Sequence, residues 1–325
     1  MEGSLANMNV TADDLDYNTT NVFNKYQIMS NYSRSIIFSV AFIICCIGVP
    51  LNGIVIWLLG FQIKKNPFTV LILNLAIADF GCLVFLAIFC IYHFIDFVPT
   101  GIPYLIMHYL ILIMYINGLF LLADISIDRC VAVLFPIWHH CSWPKHLSTA
   151  VCAFLWIISF LLIGMHYIIQ YYYYYYYYYY YYYYYSDLYL VVPSVLCLPL
   201  FTISTLILFV KICLKPKQIK RGRLLVMILM TLLSFLILTL PVHIYVFIIR
   251  FIDILYWGQF PGLVMYFNLG ASLNSSINPV IYFLVGRKKR DRTRESIKVI
   301  FQRVFREDEA PESTEKATNR ITTPL

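Results

Sequence analysis

Charge is what this chain has least of. Of its 325 residues only 13% are Asp, Glu, Lys or Arg, while 61% are hydrophobic and the mean hydropathy is +0.73. A soluble domain carries about one quarter charged residues, so a water-soluble globular protein is excluded. Other absences speak against several membrane machines, and leave a transporter only as a lesser alternative. No internal repeat with matching broken helices speaks for a transporter, and no ring of polar residues or filter loop speaks for a channel. An intramembrane hydrolase needs paired acids or a Ser/His/metal set on facing helices; Asp79 and Asp124 are the only candidates, and they lack matching surroundings. The nine cysteines show no zinc-ligand spacing. The first residues hold no short apolar core followed by a small-residue cleavage site, so no cleaved signal peptide is expected.

The apolar residues that are present lie in seven long runs, at about 35–60, 67–95, 103–134, 146–169, 188–213, 222–251 and 261–285. Each exceeds the roughly 20 residues a helix needs to cross a bilayer. The expected fold is an all-α membrane protein, a seven-transmembrane helix bundle over 35–285. It is flanked by a polar, flexible tail at 1–34, an amphipathic membrane-surface helix at 286–306 and a disordered tail at 307–325.

Basic residues orient the bundle. Lys64, Lys65, Arg129, Lys145, the six from Lys211 to Arg223 and the eleven from Arg287 onward fall on one side, and only Lys25, Arg34 and Arg250 on the other. The N-terminus is therefore expected outside the cell and the C-terminus in the cytoplasm, at the plasma membrane. Three N-x-S/T triplets in the first tail, at Asn9, Asn18 and Asn31, point the same way as glycosylation acceptors. The net charge of +7 then describes a membrane inner face next to anionic lipid and not a nucleic-acid surface. In this topology no cysteine falls in an outer loop, so an external disulfide is not expected.

Polar residues inside the spans are costly, a buried acid by about 2.5–3.5 kcal/mol. Asp79 must therefore face the interior, with Asn52, Asn274, Ser275 and Asn278 as partners. They form either a polar clasp between helices or a hydrated, sodium-type site. Pro199, Pro241 and Pro279 interrupt the hydrogen-bond ladders of the fifth, sixth and seventh spans and act as kinks or pivots. Asp128-Arg129 closes the third span; the pair is either a snorkelling interfacial couple or a switch.

Asn52, Leu75-Ala76-Ile77-Ala78-Asp79, Asp128-Arg129-Cys130, Trp156, Pro199, Pro241 and Asn278-Pro279-Val280-Ile281-Tyr282 occur one set per span, in order. In this the chain resembles the rhodopsin-like G-protein-coupled receptors. The runs Lys65–Val70, Val133–Trp138, Pro144–Ser148 and Ser276–Gly286 narrow the resemblance to the Mas-related receptors. The resemblance implies a receptor that passes an extracellular signal to a heterotrimeric G protein of the Gq or Gi class. The inner end of the sixth helix swings outward, a Gα terminus enters beside Arg129, and Tyr282 rotates inward to support that state.

The departures from the family pattern are informative. Many relatives lock Arg129 with an acid at the foot of helix 6, but counting back from Pro241 reaches Arg221. Asp128 is then the expected restraint, and ligand-free signalling is expected. No tryptophan precedes Pro241. Gly118 stands where many relatives carry a serine, which puts a Na+ ion near Asp79 in doubt. No other cofactor or metal is expected, and no enzyme activity.

For the ligand, Ile111 replaces the aspartate of amine receptors, so a monoamine is not expected; the resemblance to Mas-related receptors implies a peptide or small cationic molecule instead. The pocket candidates are Tyr104, His108, Ile111, Tyr115, His166, Asp187, His243 and Tyr266. His166 takes the place of a helix 4 glutamate used by Mas-related receptors, and Asp187 the place of a helix 5 aspartate. Fifteen tyrosines, Tyr171 to Tyr185, form either a homopolymer of the codon-repeat kind or an aromatic platform, with the high β-propensity of an aggregation-prone segment. If the run disables signalling, the chain is a decoy receptor. On the inner side, Ile297, Ile300, Phe301, Val304 and Phe305 recur at helical spacing on a basic segment, as in a helix lying on lipid. The Ser and Thr residues of the last tail are candidate sites for kinases and, through them, arrestin.

Overall fold

A computed structural model describes residues 12–95, 102–135, 146–177, 188–214, 223–252, 263–287 and 296–305. The elements are α1 (Ala12–Trp57), continued by a π-helical turn (Leu58–Gln62), α2 (Pro67–Phe94), α3 (Ile102–Leu134), α4 (Leu147–Tyr177), α5 (Leu188–Leu214), α6 (Arg223–Ile252), α7 (Leu263–Gly286) and α8 (Ile297–Phe305). Among the described residues there is no strand. Helices are what an apolar chain must form in lipid, because only they satisfy every backbone N–H and C=O within one segment.

The first seven helices make a seven-transmembrane bundle. By length and hydropathy alone, α1 to α4 contain complete candidate spans, and α5 and α6 contain shorter apolar stretches, Val195–Lys211 and Leu225–Pro241. α3 is the hub and packs on α2, α4, α5 and α6, while α7 closes the ring against α1, α2 and α6. Large apolar side chains face outward on α1 (Ile43, Ile47), α4 (Phe154, Leu161, Ile168) and α5 (Leu196, Ile203, Leu206). On a membrane bundle this outer belt meets lipid.

Local chemistry sets the helix boundaries. α2 opens on a reciprocal cap: Thr69 N–H donates to Asn66 Oδ1 at 2.7 Å, and Asn66 N–H donates to Thr69 Oγ1 at 2.8 Å. Pro67 takes the first helical position, where its missing N–H costs nothing. In α5, Thr202 Oγ1 donates to the carbonyls of Leu198 and Pro199 beside the proline. Pro241 and Pro279 lie inside continuous helices.

Two expectations change. The tail before the first span is helical from Ala12 and joins α1 without a break. The stretch up to Gly48 holds no Gly or Pro, and Asp13 and Asp14 sit at the positive end of the helix dipole. Asn18 and Asn31 fall on this helix; Asn9 lies outside the described residues. Likewise α4 runs on through the tyrosines to Tyr177, despite their β-propensity. Extending an existing helix adds one hydrogen bond per residue fixed, without a new nucleus. Tyr178–Tyr185 lie outside the described residues, as does the tail at 307–325.

Small residues let the helices approach closely. A Cβ on Gly48 of α1 would collide with Ser276 of α7 and come within 2.7 Å of Leu83 Cδ1. One on Gly81 would meet only the flexible Met114 side chain, with Sδ at 2.8 Å. Gly48→Ala is expected to cost about 1–3 kcal/mol by overpacking and Gly81→Ala clearly less, read as thermal unfolding of the purified protein in detergent.

Candidate functional site

The polar residues of the bundle interior fall into three layers. The inner layer, at the end of α3 nearest α8, holds the Asp128–Arg129 pair. Both residues are only 6% exposed. Arg129 Nε and Nη2 both donate to Asp128 Oδ2, at 2.9 and 2.5 Å. The guanidinium carbon lies 4.2 Å from the centre of the Phe68 ring. A snorkelling pair would reach for water; this pair is enclosed. Its charge is held by an adjacent carboxylate and by the negative face of an aromatic ring. Phe68 is the second residue of α2, so the Asn66–Thr69 cap that starts α2 also seats the ring on Arg129. Phe68 was visible beforehand only as part of the Lys65–Val70 run; an aromatic in the first turn of α2, level with Arg129, is the signal that marks it.

Around this pair α3 is tied to α5. Ser204 Oγ donates to Ser126 Oγ at 3.2 Å, and Cys130 Sγ to the Ser204 carbonyl at 3.7 Å. Tyr282 of α7 is buried beside a small apolar cavity bounded by Leu75 of α2, Leu122 and Ile125 of α3, and Met227 and Thr231 of α6. It is thus already placed between the helices whose separation it is expected to support. Arg221 lies outside the described residues.

The middle layer gathers around Asp79, 4% exposed. Asn278 Nδ2 donates to its Oδ2 at 2.8 Å, and the Ser275 side chain also hydrogen-bonds it. Asn52 Nδ2 joins the set through α7, donating to the Ser275 carbonyl at 3.0 Å and to the Gly48 carbonyl at 3.1 Å. Asn274 is buried nearby, and the side-chain oxygens of Asn52, Asn274 and Asn278 have no partner. Four of the five residues expected here are therefore linked by hydrogen bonds, and the fifth is an unused acceptor. The donors are all oxygen, the kind a hard cation takes. Gly118, however, faces Asp79 so closely that a Cβ there would stand 3.9 Å from Oδ1. A serine would bring a hydroxyl to that oxygen, and glycine brings nothing. That side of Asp79 is therefore without a side-chain ligand for an ion. Lower on α2, Asn74 Oδ1 accepts the Trp156 indole N–H at 3.2 Å and ties α4 to the same core.

In the outer layer Ile111, Tyr115, His166 and His243 are buried and His108 half-buried. Tyr115 sits between Phe267, edge-on at 4.8 Å, and His243, stacked at 6.4 Å. The His243 ring engages the Thr239 carbonyl through Nδ1 at 2.9 Å. A carbonyl only accepts, so Nδ1 carries the proton, and the buried Nε2 is left without a partner. His166 lies beside Tyr109, their rings 6.4 Å apart. Tyr266 is not part of this layer: it is 57% exposed and faces outward. One residue is 100° of helix, so the adjacent Phe267 takes the inward position. The side chains of Tyr104 and Asp187 lie outside the described residues.

The chain as a whole has counterparts among known proteins. The family described as 7 transmembrane receptor (rhodopsin family) matches residues 51–282. The chain belongs to the rhodopsin family of seven-transmembrane receptors. It is 34% identical to the Proto-oncogene Mas of Mus musculus over 279 residues, covering 85% of each chain. With Mas-related G-protein coupled receptor member D of Macaca fascicularis it shares 35% over 321 residues, 92% of this chain and 97% of that one. With member H of Rattus norvegicus it shares 36% over 278 residues, 83% of each. This is the Mas-related branch anticipated from the sequence, and its members are receptors and not enzymes. A G-protein-coupled receptor role in the plasma membrane, with an extracellular ligand and a G protein as partners, follows from the family.

The receptor's inner layer has a direct test. Asp128→Asn leaves the enclosed guanidinium without its counter-charge and is expected to cost on the order of 3 kcal/mol. Phe68→Leu keeps the bulk but removes the ring face, at about 1 kcal/mol. Thermal unfolding of the two purified variants should rank them in that order.

Proposed function

We propose that this receptor carries its N-terminus outside the cell and takes a peptide or small cationic ligand in the outer half of the bundle. It activates a G protein of the Gq or Gi class and signals to a measurable degree without ligand. The observation that carries this reading is the enclosed Asp128–Arg129 pair at the inner end of α3. A charge costs several kcal/mol to hold out of water, so an arginine kept there earns its place only if another state uses it. A Gα terminus arriving beside Arg129 supplies carbonyl acceptors for the guanidinium once α6 has moved aside. The ligand needs only to bind that open state better than the closed one. Arg221, in place of an acid at the foot of α6, removes one restraint on the closed state, which is the basis for ligand-free activity.

Orientation rests on the distribution of lysine and arginine and on the three glycosylation triplets. Ile111, buried in α3, offers no charge to a monoamine, and a peptide or small cationic ligand rests on the resemblance to Mas-related receptors. The Asp79 cluster serves as a hydrated clasp between α2 and α7: ordered water satisfies the unpartnered amide oxygens of Asn52, Asn274 and Asn278. Kinases and arrestin act on the last tail.

In cells expressing the receptor at verified surface levels, nucleotide exchange on Gq and Gi without added ligand should exceed that of untransfected cells and vanish in Arg129→Ala. Equal exchange in the two variants would remove the coupling assignment and leave the decoy reading. For the clasp, the unfolding temperature should be the same in sodium and potassium buffers of equal ionic strength. Gly118→Ser should introduce a sodium-specific rise. A sodium effect of the same size in the unmutated receptor would show that the ion binds without the missing hydroxyl.

A further inference from the structure

The apolar residues of α8 do not all face the same medium. An amphipathic helix resting on lipid would turn Ile297, Ile300 and Phe301 to the leaflet together. Instead Ile297 and Val299 are 44% and 45% exposed, while Ile300 and Phe301 are 2% and 3% exposed and are therefore covered by protein. The covering surfaces belong to α7, to α6 and to the π-helical turn that ends α1. Phe301 shares one apolar core with Met227 and Ile228 of α6 and with Tyr282 of α7.

A polar tether holds the helix in this place. Lys298 Nζ donates to Gln62 Oε1 at 2.8 Å. Gln62 is the last residue of the π-helical turn, in which Ile63 N–H reaches back to the Leu58 carbonyl at 3.0 Å. A π-turn inserts an extra residue and so re-aims the side chains that follow it. Here it accompanies a glutamine turned toward α8.

We infer that α8 is a latch on α6. In the ligand-free receptor Phe301, in one apolar core with Met227 and Ile228, holds the inner end of α6, and the Lys298–Gln62 bond anchors the latch to α1, a helix that stays in place. Because α6 must part from its neighbours before a Gα terminus can reach Arg129, each α8–α6 contact made only in the closed state shifts the population toward that state. The latch is thus a partial restraint, which lowers the ligand-free signalling proposed above without abolishing it. The inference rests on the G-protein coupling proposed above, and the test separates the two.

The full-length receptor in lipid nanodiscs carries site-specific spin labels at lipid-facing Trp57 of α1 and Met230 of α6, which report the α1–α6 separation. GTPγS uptake by added Gq and Gi heterotrimers reports coupling. Phe301→Ala should move part of the population to longer separations and raise ligand-free uptake about fivefold, the lower end of a typical coupling between sites. The double variant Gln62→Cys/Lys298→Cys, joined by a short bifunctional thiol reagent, should hold the short separation and lower uptake, reversibly on reduction. An unchanged separation in a folded, monodisperse Phe301→Ala receptor, or a cross-link that leaves the separation and uptake as they were, overturns the latch. A separation that responds as expected while neither heterotrimer takes up nucleotide supports the latch and overturns the coupling to Gq and Gi.

Discussion

Holding a guanidinium out of water at the end of α3 is the constraint on which the rest of this bundle depends. Arg129 needs a carboxylate, and Asp128 is the next residue along the chain. It also needs a cover, and Phe68 supplies one from the start of α2. The cover requires α2 to begin at a fixed height, which the Asn66–Thr69 cap ensures. α3 must remain the hub around which α2, α4, α5 and α6 are arranged, because any helix that drew back would admit water to the charge. The inner half of the receptor is thus a seal made of ordinary parts: a cap, a ring, a hydroxyl pair between α3 and α5, and apolar packing around Tyr282.

Farther from that end the interior is less well satisfied. The amide oxygens of Asn52, Asn274 and Asn278 have no partner, and neither does His243 Nε2. Each such group costs about 1–3 kcal/mol if it stays dry. Three of these four groups lie on α6 and α7, whose ladders Pro241 and Pro279 already weaken. A core built only of leucine would be more stable and would have no second arrangement to move to.

The bundle was legible because lipid leaves so few options. The run expected at 67–95 is the helix Pro67–Phe94, and that at 188–213 is Leu188–Leu214. The Asp79 cluster was legible for the same reason, since an acid in hydrocarbon must find amides. What could not be seen was rotational phase and tertiary cover. Tyr266 and Phe267 are both aromatic, and hydropathy does not say which one looks inward; the packing of α7 on α1, α2 and α6 decides it. Ile297 and Ile300 are equally apolar, and only the fold shows that one meets lipid and the other protein. Phe68 stood out only as one residue of the Lys65–Val70 run, and the fold sets its ring over Arg129. The helix before the first span was missed because its residues are polar, and it borrows its continuity from the apolar segment that follows.

The cap of α2 has a wider consequence. Asn66 lies in the short link between the π-helical turn and α2, yet its cap sets the height at which the Phe68 ring meets the guanidinium. Receptors with the same arginine can therefore differ in how firmly it is held through changes in a four-residue link, Ile63 to Asn66.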